Sequence, residues 1–165
     1  EGRIMSGFVR ATKPGGSATI RRATTGDFDA VSGLLKDSSL PLDGVPQSLD
    51  GFLVAESNGA LVGVAGLESC SDNALLRSVA VRPEWRSKGL GRSLVKRVIA
   101  EAEQRGIHGL YLLTTTAEHY FPSFGFQKVA RDDVPADVRE TEEFRSACPA
   151  SATAMTLALK ATPRS

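Results

Sequence analysis

The sequence contains few of the residues that bind metals or act as nucleophiles. Its two cysteines, Cys70 and Cys148, have no Cys-x-x-Cys spacing, and its two histidines, His108 and His119, lie far from both along the chain. No cluster of His, Cys, Asp and Glu has the spacing of a metal site, so we expect no bound metal. Two isolated cysteines are typical of reduced, packed thiols. A lone histidine is more often structural or exposed than a base or a ligand.

A strong net charge and a long apolar segment are also absent. The chain has 20 Lys and Arg residues against 19 Asp and Glu residues, which gives a formal net charge of +1. This balance disfavours nucleic acid or an anionic membrane as a partner. No apolar run approaches the roughly 20 residues of a membrane span, and no signal-peptide pattern is visible. We therefore expect a cytoplasmic protein without a membrane partner.

Length and composition fit one folded domain. The 165 residues are 41% hydrophobic and 24% charged, as in an ordinary globular protein. Residues 1–17 combine a segment typical of a tag remnant with a lead-in that contains Pro and Gly, which we expect to be flexible. The predicted domain covers residues 18–161, and residues 162–165 form a tail.

The apolar periodicity predicts an α+β fold. The predicted strands cover residues 19–23, 52–56, 61–67, 75–81, 110–114, 126–129 and 153–160. One predicted helix begins at Thr24 or Thr25, and the others cover residues 89–105, 117–124 and 134–145. Asn58-Gly59 is typical of a tight hairpin, so the second to fourth strands form an antiparallel meander. A later strand–helix–strand order indicates a crossover, and we expect a mixed, mostly antiparallel sheet flanked by helices.

A glycine loop between a predicted strand and a predicted helix is the most informative local feature. Residues 86–91 have the sequence Arg-Ser-Lys-Gly-Leu-Gly and follow the strand at 75–81. The unpaired N–H groups of a helix N-terminus, together with its dipole, favour a pyrophosphate. Gly89 and Gly91 let the backbone approach such a ligand without an intervening Cβ. Three basic residues surround the loop: Arg86, Lys88 and Arg92.

Two common nucleotide-binding motifs do not account for this loop. A P-loop requires Lys-Ser or Lys-Thr after its last glycine, whereas Arg92 and Ser93 follow Gly91. A Rossmann fingerprint requires three glycines and an acidic residue about 20 positions later, and only two glycines fit here. The pattern is Arg-x-x-Gly-x-Gly after a strand.

Two blocks of sequence resemble a known enzyme superfamily. Residues 75–99, LLRSVAVRPEWRSKGLGRSLVKRVI, resemble the coenzyme A-binding motif of the GNAT acetyltransferases, and residues 117–126, AEHYFPSFGF, resemble that superfamily's later aromatic motif. The two blocks occur in the correct order and at the correct separation. The segments LLRSVAV, YLLTTTAEHYF and EEFRSACPASA are more closely similar to the second class of GNAT enzymes encoded in bacterial arsenic-resistance operons.

The resemblance implies a fold and a co-substrate. In a GNAT fold two central strands, here 75–81 and 110–114, splay apart and the pantetheine arm of acetyl-CoA enters the gap. No metal is needed. The implied acetyl-CoA contacts are Val79, Ala80, Val81, Arg86, Ser87, Lys88, Gly89, Leu90, Gly91, Arg92 and Ser93. Backbone groups of Val79 and Val81 are the ones expected to pair with the pantetheine.

The resemblance also implies catalytic candidates. Glu68 follows an apolar run at a position where related enzymes hold a general base; the alternative is a strand-end carboxylate that faces solvent. In many relatives a tyrosine four residues before the glycine of the aromatic motif acts as the general acid that protonates the leaving thiolate. The corresponding residue of this chain is Phe121. Tyr120 would point elsewhere on an α-helix. The acid is therefore Tyr120 through a local shift or another group such as Ser123, or none is needed.

The predicted function is transfer of acetyl from acetyl-CoA to the amine of a small molecule, and the resemblance implies a role in arsenic or toxic-amine resistance. Acetylation of a protein or peptide amine is an alternative, as is an acyl-CoA-binding module without transferase activity. If the substrate carries arsenic, Cys70 and Cys148 could pair as ligands, although packing is the simpler interpretation. Residues 132–149 cover the acceptor cleft or form a homodimer contact, and the sequence leaves both open.

Overall fold

The computed structural model describes residues 18–40, 42, 45–70, 72–86, 89–114, 119–141, 144–145 and 152–159. The predicted lead-in at 1–17 and the tail at 162–165 lie outside these residues, as do Ser87, Lys88 and Cys148. Among the described residues, no helix is long and apolar enough to span a membrane.

The described chain forms one mixed sheet with helices on both faces. Its strands are β1 (Thr19–Arg22), β2 (Phe52–Ser57), β3 (Ala60–Cys70), β4 (Asn73–Val81), β5 (Gly109–Thr114), β6 (Gln127–Lys128) and β7 (Thr153–Ala158). Its α-helices are α1 (Phe28–Asp37), α2 (Leu90–Gln104) and α3 (Ala136–Arg139). The strand order is β1-β2-β3-β4-β5-β7-β6, in which β4 and β5 are parallel and the other neighbours are antiparallel. The predicted α+β class is confirmed.

The β2–β3 hairpin follows from its turn sequence. Ser57 pairs with Ala60, and both loop residues are left-handed, with φ of 53° at Asn58 and 80° at Gly59. Such a two-residue loop matches the twist of antiparallel strands. Strand β3 then runs further than its apolar residues predict and ends at Cys70. Glu68 therefore lies inside a strand, and the predicted strand end at residue 67 is wrong.

Two helices cover opposite faces of the sheet because side chains alternate along a strand. On β3, Val64 packs in the cluster that contains Val31 and Leu35 of α1, whereas the next residue, Ala65, packs in the cluster that contains Leu94 of α2. Helix α3 packs on the α1 side, where it contacts a third cluster around the start of β4. The α2 face is the one that bears the glycine loop.

Two predicted helices are shorter than the sequence pattern indicates. Among the described residues of 134–145, α3 covers Ala136–Arg139, and Phe144 and Arg145 have π-helical backbone. Between them lies Thr141, whose hydroxyl donates to the Val138 carbonyl at 2.8 Å and accepts from the Phe144 amide at 3.4 Å. A threonine that bonds the backbone in this way competes with the helical ladder. In the predicted helix at 117–124, residues 117–118 lie outside the described residues, and Phe121–Phe124 form a 3-10 helix.

Candidate active site

Strands β4 and β5 are paired only at their first residues. The parallel pairs are Asn73–Gly109, Ala74–Leu110 and Leu75–Tyr111. Beyond them, β4 continues to Val81 and β5 to Thr114 without further pairs between the two strands. The predicted splay is therefore present, and it leaves one edge of β4 open to a ligand's hydrogen-bonding groups.

A β-bulge interrupts β4 beside this opening. Two β4 residues, Ser78 and Val79, lie opposite the single β3 residue Ala65. Ser78 is buried and left-handed, with φ of 58°, a conformation that is uncommon for a residue with a Cβ. A bulge shifts the alternation of the strand and leaves backbone groups outside the ladder. Sequence inspection missed this feature.

The glycine loop places the N-terminus of α2 next to the end of β4. Gly89 is the N-cap residue and has φ of 84°, so glycine is required there for conformational reasons. The first-turn amides of α2 have no intrahelical acceptor. Of the other predicted contacts, Leu90 has a buried side chain, and Ser93 is an exposed helix residue whose amide donates to Gly89 O at 3.0 Å; both stay predictions.

These elements enclose a cavity of about 420 Å³. It is lined by the end of β4, the glycine loop, the first turn of α2 and the aromatic turn, through Val79, Ala80, Val81, Arg86, Gly89, Gly91, Arg92 and Tyr120. The structure thus brings seven of the predicted acetyl-CoA contacts together with one predicted catalytic residue.

Two arginines line the cavity from different directions. Arg86 Nε donates to the Val81 carbonyl at 3.1 Å, which holds the side chain at the end of β4. Arg92 Nη1 donates to Ser123 Oγ at 3.2 Å, and its guanidinium lies 4.8 Å from the centre of the Phe124 ring. Two guanidinium groups and the helix dipole make this end of the cavity favourable for an anion.

The aromatic turn directs Tyr120 into the site and Phe121 into the core. Phe121 is 7% exposed and its ring lies 5.7 Å from that of Phe126, whereas Tyr120 is 39% exposed and lines the cavity. The expectation that Tyr120 points elsewhere assumed an α-helix and is wrong, because the segment from Phe121 is a 3-10 helix preceded by a turn. Ser123 Oγ donates to the Tyr120 carbonyl at 2.8 Å and so joins this turn to Arg92.

The Tyr120 hydroxyl keeps its proton near neutral pH. Burial raises the pKa of Tyr120 above its ordinary value, while the charge of Arg92 acts in the opposite direction. A phenol in this state is a proton donor rather than a base.

The other candidate, Glu68, is half of an ion pair with a buried partner. Arg77 Nη1 donates to Glu68 Oε1 at 3.1 Å; the Arg77 side chain is 0% exposed and that of Glu68 is 32% exposed. Glu68 does not line the cavity, and it is not the free strand-end carboxylate of the alternative interpretation. Sequence inspection missed Arg77 as well, although a charged residue within the apolar run LLRSVAV was a visible signal.

Comparison with known proteins agrees with this geometry. Residues 48–128 match the family model described as an acetyltransferase (GNAT) domain. The chain contains a GNAT acetyltransferase domain. An amino-acid acetyltransferase of Aeromonas salmonicida (strain A449) is 30% identical over 128 residues, which are 71% of this chain and 28% of that relative. The chain therefore spans less than a third of the length of this curated relative.

Solved structures share the fold of this GNAT domain. The N-acetylglutamate synthase from Neisseria gonorrhoeae, complexed with coenzyme A and N-acetyl-glutamate, has a TM-score of 0.74 and 25% identity over 88% of this chain and 36% of that chain. Rv2747 from Mycobacterium tuberculosis, in complex with CoA and NLQ, has a TM-score of 0.73 and 25% identity over 86% of this chain and 99% of that chain.

The remaining side-chain groups of the GNAT domain are less suited to chemistry. Cys70 is buried, and burial together with the charges of Glu68 and Asp137 raises the pKa of its thiol to about 12. His108 and His119 are exposed. Within the described part of the chain, no group of three His, Cys, Asp or Glu side chains could hold a metal ion.

A second, smaller cavity of about 90 Å³ lies between the β2 end of the sheet and α2. An ion-pair network crosses it, since Glu101 accepts from Arg22 at 2.7 Å and from Arg105 at 3.4 Å. It does not include the open edge of β4 or the glycine loop. We therefore assign the chemistry of the GNAT domain to the larger cavity.

Proposed function

We propose that this chain is an acetyl-CoA-dependent N-acetyltransferase whose acceptor is the amine of a small, amino-acid-like molecule. The observation that carries the proposal is the open edge of β4, which leads along the cavity to the N-terminus of α2. An extended acyl-pantetheine arm needs unpaired backbone groups, and a pyrophosphate needs N–H donors and cations. Both requirements are met along one cavity.

The phosphate end of the site is built by α2 and two arginines. The first-turn amides of α2 would bind the pyrophosphate, and Arg86 and Arg92 add charge. Gly91 supports this role, because a Cβ there would meet only Val81 Cγ2 at 3.5 Å and Tyr120 Oη at 3.6 Å. Those are ordinary van der Waals contacts, so the packing of the protein itself does not require glycine at position 91. We attribute the glycine to the close approach of a ligand instead.

The thioester end lies toward the bulge. Val79 and Val81 line the cavity beside the unpaired edge of β4, and we assign the contacts with the pantetheine to their backbone groups. Amide N–H groups directed at a carbonyl oxygen stabilise the negative charge that develops on it during acyl transfer. Acetyl-CoA, when bound, supplies the acetyl group as a thioester.

The transfer needs one base and one acid among the residues of this chain. A bond forms between the acceptor nitrogen and the acetyl carbon as the carbon–sulfur bond breaks. The nitrogen loses one proton, which we assign to Glu68 through water, and the leaving sulfur takes one from Tyr120. Afterwards Glu68 releases its proton to solvent and Tyr120 takes one from solvent, so both residues return to their starting states.

The nature of the acceptor rests on relatives and on sequence resemblance. Proteins similar to this chain are named amino-acid acetyltransferase and N-acetylglutamate synthase, which favours an amino-acid-like amine. The resemblance to enzymes of arsenic-resistance operons adds amino-acid-like organoarsenicals to that class. A thiol pair for trivalent arsenic is disfavoured, since metalloid binding uses the thiolate and the Cys70 thiol has a pKa of about 12.

The test is release of free thiol from acetyl-CoA against a panel of amines. The panel contains glutamate, other free amino acids, amino-acid-like organoarsenicals, polyamines and a lysine peptide. Turnover with an amino-acid-like amine supports the proposal. Turnover with the lysine peptide alone would show that the acceptor is a protein or peptide amine instead. Tight acetyl-CoA binding without any thiol release would instead identify an acyl-CoA-binding module. A homodimer and a cytoplasmic location remain predictions for sedimentation and cell fractionation.

A further inference from the structure

We propose that Arg77 is a positioning residue for acetyl transfer, an inference that rests on the proposed function. Its guanidinium donates to the carboxylate of Glu68, the proposed base, and to the hydroxyl of Ser78 at the bulge beside the cavity. Arg77 does not line the cavity, so it acts through these neighbours. It links the candidate base on β3 to the part of β4 that would hold the thioester.

The burial of Arg77 makes its partner on β3 necessary. A buried guanidinium is unfavourable unless it is paired and hydrogen-bonded, and the Arg77 side chain is 0% exposed. Glu68 supplies the opposite charge through its Oε1 atom at 3.1 Å from Arg77 Nη1. Because 32% of the Glu68 side chain is exposed, the pair joins a rigid, buried cation to a carboxylate that still reaches water. Such a carboxylate is held in one orientation and can still exchange protons with water.

The second bond of Arg77 supports the bulge. Its Nε donates to Ser78 Oγ at 3.2 Å, and Ser78 has the left-handed φ of 58°. This conformation is disfavoured for residues with a Cβ, so the bond stabilises a conformation that the chain would otherwise tend to leave. The bulge sets the direction of the following residues, and Val79, Ala80 and Val81 line the cavity. Loss of the bond would therefore alter the wall of the site.

Another arginine offers a matched comparison. Arg21 on β1 also joins two groups, with Nε 2.8 Å from Glu56 Oε1 and Nη1 2.8 Å from Asp27 Oδ2. Neither of these partners adjoins a residue that lines the cavity, whereas Ser78 directly precedes Val79, which does. If an arginine that bridges neighbouring side chains contributes only to stability, replacing Arg21 and replacing Arg77 should have the same effect on turnover. If Arg77 positions the site, only its replacement should lower turnover.

The experiment measures kcat, the KM for the amine, the Kd for acetyl-CoA and Tm in the wild type, Arg77→Met, Arg77→Lys and Arg21→Met. We expect Arg77→Met to lower kcat at least about tenfold and to raise the Kd for acetyl-CoA by a smaller factor, because the carboxylate loses its orientation and the wall at Val79–Val81 shifts. Arg77→Lys should restore part of kcat, because a lysine reaches one of the two partners. Arg21→Met should lower Tm and leave kcat unchanged. Equal losses of kcat in the two methionine variants would overturn the inference.

Two substitutions of Ser78 test the inference even if Arg77→Met does not fold. Ser78→Ala and Ser78→Gly both remove the hydroxyl, but only glycine accepts a left-handed φ without strain. We expect Ser78→Ala to lower kcat more than Ser78→Gly, and to have the lower Tm, because glycine keeps the left-handed conformation without the bond from Arg77. Wild-type kcat in Ser78→Ala would overturn the inference. Absence of wild-type turnover would overturn the proposed function and this inference together, whereas turnover that no Arg77 or Ser78 variant alters would overturn the inference alone.

Discussion

The hydroxyl of Tyr120 lies 3.6 Å from the point that a Cβ on Gly91 would occupy. The aromatic turn and the first turn of α2 therefore meet across the cavity, and they are joined by the bonds from Arg92 to Ser123 and from Ser123 to the Tyr120 carbonyl. This contact has two consequences for the cavity. It brings a protonated phenol to the site, and it restricts the space beside the helix N-terminus.

Replacing Tyr120 with phenylalanine should lower kcat by at least roughly tenfold and change the Kd for acetyl-CoA little, because general acids act in the transition state. The measurement is thiol release under saturating substrates together with acetyl-CoA binding by calorimetry. Tyr111→Phe is the matched control, since Tyr111 packs in the α3-side cluster and does not line the cavity. A higher Kd with wild-type kcat would mean that the hydroxyl binds acetyl-CoA rather than donating a proton.

Replacing Gly91 with alanine should weaken acetyl-CoA binding by roughly tenfold, about 1.4 kcal/mol, while the protein stays folded. The added Cβ makes only ordinary contacts with the protein but occupies space beside the α2 amides. Gly33→Ala is the control, because Gly33 is exposed on α1 and a Cβ there has no neighbour within 4 Å. That variant should be stabilised by about 0.5–1 kcal/mol with no change in Kd. Equal Kd values in the two variants would contradict the assigned site.

Replacing Glu68 with glutamine should lower kcat by roughly 10²-fold with little change in acetyl-CoA binding, if Glu68 is the base. The amide oxygen still accepts from Arg77, so the change removes basicity more than structure. Glu56→Gln is the matched control, as Glu56 also accepts from an arginine, Arg21, at 2.8 Å. Wild-type kcat in Glu68→Gln would remove Glu68 from the mechanism and leave it as the structural partner of Arg77.

Stability should depend on acid pH through Asp27. The hydrogen bond from Arg21 is the main reason that the pKa of Asp27 falls from its ordinary value of 3.8 to about 2. Between these values the unfolded chain binds a proton that the folded chain does not, so the free energy of unfolding decreases as pH falls from about 4 to about 2. Asp27→Asn should show a flatter dependence in urea titrations at several pH values. Parallel curves for the two proteins would contradict the assignment.

Much of this architecture follows from local sequence. The hairpin at Asn58-Gly59 and the left-handed Gly106 after α2 are matched by residues that favour those conformations. Helix α2 buries Leu94 and Val98 as its periodicity predicts. The glycine loop between a strand and this helix was enough to predict a site for a phosphate-bearing ligand, since a helix N-terminus presents unpaired amides wherever it occurs.

Other features could not be obtained from the sequence, because they depend on contacts between distant segments. The aromatic turn is a 3-10 helix, so Tyr120 points into the cavity and Phe121 into the core, the reverse of what an α-helix predicts. This arrangement accompanies the packing of the Phe121 ring against Phe126. Local propensities are similar for these alternatives, and tertiary packing selects among them.

The sequence alone determined the strand order of the meander and the position of the glycine loop, and it predicted a phosphate-bearing ligand, since each depends on residues close together in the chain. Only the tertiary structure decided that Arg77 is buried, that Glu68 pairs with it, and that β4 carries a bulge at Ser78. These three facts depend on the register between β3 and β4. Register is set by burial across the whole sheet, and no short pattern specifies it.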